Sequence, residues 1–164
     1  MFDLKPIVRN AIPRALEKAE RYRLLDEPAE AESICRDVLE IDPENRDAIV
    51  TLLLSLTDQF DKGEGVSQAR ELVQRIADDY GRAYYAGIVC ERWAKAHMNT
   101  GTPGSEFIVY DWFREAMAWY EKAEAIRPLG NDDAILRWNT CARILMKHPN
   151  LRPGLEERTI DLLE

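Results

Sequence analysis

The side chains that could do chemistry in this chain are few and scattered. His97 and His148 are its only histidines, one beside a glycine-containing stretch at a helix end and the other directly before Pro149. An imidazole at such a place suits the C-terminal end of a helix dipole better than it suits a general base. Cys35, Cys90 and Cys141 lie in separate apolar runs, and none is near a histidine or another cysteine at metal-ligand spacing. They read as small core residues, and an odd number of widely spaced cysteines fits reduced thiols in a cytoplasm. The stretch TGTPG at 100–104 lacks the Lys-Ser/Thr pair and the preceding strand of a phosphate loop. The pairs Asp78-Asp79 and Asp132-Asp133 fall where helices should end and read as caps and first-turn acids. No nucleophile–base set emerges, so the expectation is a protein with no catalytic residue, no metal site and no cofactor.

The elements that would position any site are helices. Apolar residues recur at three and four, and strand-like alternation is missing. Ala15, Ala19 and Tyr22 make one stripe, which ends before Asp26-Glu27-Pro28, with Glu27 as the candidate cap and Pro28 in the next first turn. Ala31, Ile34, Cys35, Val38, Leu39 and Ile41 form a second stripe, stopped by Asp42-Pro43. A third helix is expected over 46–60, broken by DKGEG at 61–65, and a fourth from Val66 to Tyr80, ending at Gly81. A fifth follows over 82–98, and a sixth from Ser105, as its cap, to Arg127. The seventh covers 132–147, and Pro153–Leu163 could begin an eighth.

Helix pairs with short turns call for a test of internal repetition. Setting Ala31 on Ala116 puts Cys35 on Tyr120, Val38 on Ala123, Ile41 on Ile126 and Pro43 on Pro128. This pattern of small, aromatic, small and terminating proline resembles the second helix of the tetratricopeptide repeat. In the first unit, Ala19 and Tyr22 also match the family's small and aromatic positions, whereas Ala15 and Lys18 stand where it has Trp and Leu. The resemblance implies an all-α fold, an α-solenoid of antiparallel helix pairs with seven to eight helices. It would be a single domain over 1–164, with units at about 12–45, 46–81 and 82–128, a partial unit at 129–150 and a tail at 151–164. Each pair would bury its apolar stripe against the next.

The function that the resemblance implies is binding of a protein or peptide along the concave side, which the first helices of the pairs line. Over 46–60, Ile49, Leu52, Leu53, Leu56 and Phe60 form the packing stripe, and Val50, Leu54 and Thr57 follow a separate line on which a surface helix would carry polar residues. Either neighbouring helices bury that line or it is an apolar strip in the groove. By family registration the groove candidates are Leu16, Glu20, Arg23, Val50, Leu54, Thr57, Asp58, Leu136, Thr140 and Arg143. An apolar centre with charged edges suits an amphipathic helix or an extended peptide. The family's grip on a C-terminal carboxylate through lysine and asparagine is not expected, because Leu16 and Glu20 occupy the matching positions.

The helix from Ser105 is unusually aromatic, with an apolar arc of roughly 200° that implies burial on two sides or an exposed patch. Phe107, Tyr110 and Trp112 are its candidate docking residues, for a partner, a second copy of the chain in a homodimer, or the C-terminal tail.

Charge narrows the partners. The chain carries −8, and residues 26–64 hold twelve acids against three bases, net −9, whereas the first 25 residues are net +3. That balance argues against a nucleic-acid phosphate backbone. No apolar run approaches the ~20 residues of a membrane helix, and MFDLKPIVRNAIP has no apolar stretch leading to a cleavage site. A cytoplasmic protein that does not engage membrane is the expectation.

Overall fold

A computed structural model describes residues 1–98 and 100–154 of the chain, so the eighth helix expected over 153–163 lies outside the described residues except at its first two positions. Seven α-helices are present among the described residues: α1 (Ile12–Leu24), α2 (Pro28–Ile41), α3 (Arg46–Thr57), α4 (Val66–Gln74), α5 (Asp79–His97), α6 (Ser105–Ala125) and α7 (Asp133–Lys147). Within α1–α4 and within α5–α7, consecutive helices pack on one another, and no strand occurs among the described residues. The chain divides into two compact units. Met1–Ala77 holds α1 to α4, and the second, from Asp78 onward, holds α5 to α7.

Punctuation in the first unit follows from residue chemistry. Asp26 takes a left-handed conformation (φ 60) after α1, a place where aspartate is one of the few tolerated side chains. Pro28 then opens α2 in its first turn, where its missing N–H costs nothing. Glu27 sits at the cap position but makes no side-chain cap bond, contrary to expectation. Asn45 does cap α3, accepting the Ala48 N–H at 2.9 Å.

Three boundaries differ from the sequence reading, each for a local reason. The third helix stops at Thr57, and Phe60–Lys62 form a 3-10 turn that buries the Phe60 ring. Gly63 (φ 77) and Gly65 (φ 96) then reverse the chain in conformations that L side chains resist. The fourth helix ends at Gln74, not Tyr80, because Asp78 starts a new one: its carboxylate accepts the Gly81 N–H at 2.8 Å. Gly81 is therefore a buried first-turn residue of α5 and not a stop. Ser105 is the first residue of α6, and Gly104 (φ 82) holds the cap position. Asp132 also fails to cap α7 with its side chain and instead pairs with Arg127 at 3.2 Å.

The core of the first unit is apolar. Ala31, Cys35 and Val38 of α2, Ala48, Ile49, Leu52 and Leu53 of α3 and Ala69, Leu72 and Val73 of α4 are buried, with Val38 and Ala48 in one cluster. Each large aliphatic chain so buried contributes about 1.5–3 kcal/mol. In the second unit, α5 and α6 approach closely at Gly87, where a Cβ would lie 2.4 Å from the Tyr120 ring. Only hydrogen fits beneath that ring, which is itself wholly buried.

Candidate functional site

The first unit brings most of the expected groove residues onto α1 and α3. Of the twelve residues of α3, eight are buried: Ala48, Ile49, Thr51, Leu52, Leu53, Ser55, Leu56 and Thr57. Val50 and Leu54 are the only apolar ones left half-open. Thr57 belongs to the same line but is buried, its hydroxyl donating to the Leu54 carbonyl at 2.8 Å. Arg23 and Asp58, expected at the charged edges, meet: Nε donates to one carboxylate oxygen at 2.7 Å and a terminal nitrogen to the other at 3.3 Å. That two-pronged, partly buried contact fixes the end of α1 against the end of α3. Leu16 packs half-buried on the cluster of Ile12, Val38 and Ala48, and Glu20 is exposed.

The remaining groove candidates belong to the second unit. Leu136 is 60% exposed. Thr140 donates to the Leu136 carbonyl at 3.0 Å, a bond within its own helix, and Arg143 is exposed.

The aromatic helix is divided between core and surface. Val109, Phe113, Ala116, Met117, Tyr120 and Ala123 are buried. Phe107, Tyr110 and Trp112 are half-buried, and Ile108 beside them is 59% exposed. Trp112 meets Trp93 of α5 edge-on at 6.3 Å, and the Arg152 guanidinium lies 5.7 Å from the Phe107 ring. The His97 ring lies tilted against that of Trp93, centroids 4.2 Å apart, with Nδ1 2.9 Å from the Trp93 carbonyl oxygen, in the last turn of α5.

The main polar feature was not singled out from the sequence. Glu91 of α5 is fully buried and receives donors from three helices. Arg137 of α7 holds both carboxylate oxygens, Lys95 donates at 2.8 Å, the Tyr120 hydroxyl of α6 at 3.1 Å and the Cys141 thiol of α7 at 3.4 Å. Two cations and two neutral donors thus surround one carboxylate, and every buried side-chain polar atom among the described residues has a partner. The local signal was only a Glu–Lys pair four apart; the other partners stand 29 to 50 residues away.

Burial sets the proton affinities of the surrounding groups. It pushes the Cys141 thiol up to about 11, the Tyr84 hydroxyl up to about 12 and Tyr120 well above the usual phenol range. Burial lowers Lys95. In the first unit burial likewise raises Cys35 to about 12. Thiols held so high are protonated at neutral pH and make poor nucleophiles. All three cysteines are free and buried. Among the described residues no group of three or more His, Cys, Asp or Glu is placed to hold a metal ion, and no helix is long and apolar enough to cross a membrane.

The geometry defines an all-helical protein with a half-open apolar strip in one unit and a closed charge cluster in the other. Comparison with protein-family models, with curated proteins and with solved structures found no match.

Proposed function

We propose that this chain is a protein- or peptide-binding scaffold, an α-solenoid of tetratricopeptide-like helix pairs that takes up a partner segment along α1 and α3 without chemistry. The observation that carries this reading is the exposure pattern of α3. A helix that buries eight of its twelve residues keeps Val50 and Leu54 half-open. Beside them the Arg23–Asp58 pair supplies a fixed charged edge. An apolar strip with charge at its margin is what an amphipathic helix or extended peptide recognises. The consecutive helix contacts within α1–α4 and within α5–α7 suit stacked helix pairs, and three free thiols suit a reducing cytoplasm. The test is capture of partners by wild type and by Leu54→Asp, with helicity checked in both. Loss of the captured partner with the variant is the expected outcome, and equal recovery overturns the groove reading.

A second reading has its own observation. The exposed Ile108 next to half-buried Trp112 on α6 favours self-association of two copies through that helix.

A further inference from the structure

The first unit has a second opening, on another face of α3. A cleft of about 490 Å³ runs between α2, α3 and α4. Leu52 and Leu56, which line it, stand about 150° round the helix from Val50 and Leu54 at 100° per residue. The cleft is thus separate from the strip assigned above. Its size falls within the range of sites that take a compact ligand group. The bottom is apolar, formed by Leu39, Leu56 and Leu72, while the walls are charged.

Those wall charges are unequally committed. Arg36 is held by Glu32 of its own helix, at 2.8 and 3.2 Å to one carboxylate oxygen. Arg75 donates to the Pro43 carbonyl at 2.6 Å. Glu40 on α2 and Glu71 on α4 both line the cleft, and neither has an ion-pair partner among the described residues. The surrounding chain adds to their field, since residues 26–64 carry net −9. An apolar floor beneath two uncommitted carboxylates is complementary to one kind of side chain, a long aliphatic stem ending in a cation.

We propose that this cleft is a second docking site and that its occupant is a basic amphipathic segment of a partner protein. A lysine or arginine of that segment lays its stem over Leu39, Leu56 and Leu72 and brings its charged head to Glu40 and Glu71. The inference does not rest on the groove reading, because the two sites use different faces of α3. Acidic steering from the rest of the unit speeds encounter with such a segment, and the cleft fixes where it settles.

The experiment is fluorescence anisotropy with a labelled synthetic amphipathic helix carrying leucines on one face and lysines at its flanks. Its counterpart has glutamate in place of lysine. The lysine peptide should bind the wild type and the glutamate peptide should not. Glu40→Gln with Glu71→Gln should weaken binding about tenfold, in line with two exposed charge contacts. Asp61→Asn with Glu64→Asn removes the same charge elsewhere in the unit and should change affinity by less than about twofold. Leu54→Asp tells this cleft from the α1–α3 strip. The proposal is overturned if the lysine peptide does not bind, if the glutamate peptide binds as well, or if both double variants lose affinity equally, which would mean diffuse attraction alone. Loss of binding in Leu54→Asp also overturns it, by moving the site to the α1–α3 strip. All four substituted acids are exposed, and circular dichroism checks that each variant keeps its helices.

Discussion

The two units solve the problem of buried polarity in different ways. In the first, the buried polar side chains are hydroxyls on α3, Thr51, Ser55 and Thr57. Ser55 donates to the Thr51 carbonyl and Thr57 to the Leu54 carbonyl, so each of these two is satisfied by its own helix. In the second, the buried polar residue is Glu91, which is satisfied only when α5, α6 and α7 stand in one register. A hydroxyl bonded within its helix places no demand on neighbours, so the buried polar groups of the first unit do not fix how its helices register. A buried carboxylate held by residues of three helices makes the second unit a clamp, stabilising only while every donor is in place.

The largest expected effect tests that contrast directly. Glu91→Ala leaves Arg137 and Lys95 facing a void and should cost about 3–5 kcal/mol. Urea unfolding followed by hydrogen exchange should show the loss in α5–α7 with α1–α4 little changed. An equal loss in both units would break the comparison. Gly87→Ala comes next, since its methyl would meet the buried Tyr120 ring at 2.4 Å; overpacking of this kind costs about 1–3 kcal/mol. Gly63→Ala in the first unit meets nothing within 4 Å and faces only its left-handed backbone (φ 77), so thermal unfolding should register about 1 kcal/mol or less.

The smallest effect is alkaline. Cys141, Tyr84 and Tyr120 of the second unit have raised proton affinities. Their protonated forms add stability that is complete below the ordinary thiol and phenol values, 9.0 and 10.0, and is lost as pH rises through the folded values. Lys95 works the other way: its burial penalty is present at neutral pH and lifts as pH approaches the ordinary lysine value of 10.5. The first unit has a counterpart in Cys35. Exchange rates referenced to pH 8 should therefore show the second unit losing more by about pH 10, on the order of 1 kcal/mol.

Much of the helical architecture was legible because its stops are chemical. Pro28 opens a helix while Asp42-Pro43 and Pro128 follow the end of one, and the expected ends near them agree with α1, α2 and α6 to within two or three residues. The misplaced boundary at Gln74 has an equally local cause, but one in competition: the glycine at 81 read as a stop until the Asp78 carboxylate took its N–H. In the candidate site, the line of Val50 and Leu54 could be seen from helical periodicity alone. The burial of Thr57 and the union of Arg23 with Asp58 could not, since both depend on how α1 meets α3. The Glu91 cluster was least legible. A single glutamate in the run GIVCERWAKA reads as a solvated residue, and its partners on α6 and α7 follow no periodic pattern.

The central claim is that partner binding belongs to the half-open strip of α3. The most direct measurement is hydrogen exchange of the chain alone and saturated with a partner captured by the wild type. The account predicts new protection on α1 and α3 around Leu16, Val50 and Leu54, with α5 to α7 unchanged. Protection confined to α6 around Ile108 and Trp112, or none on α3, would contradict it.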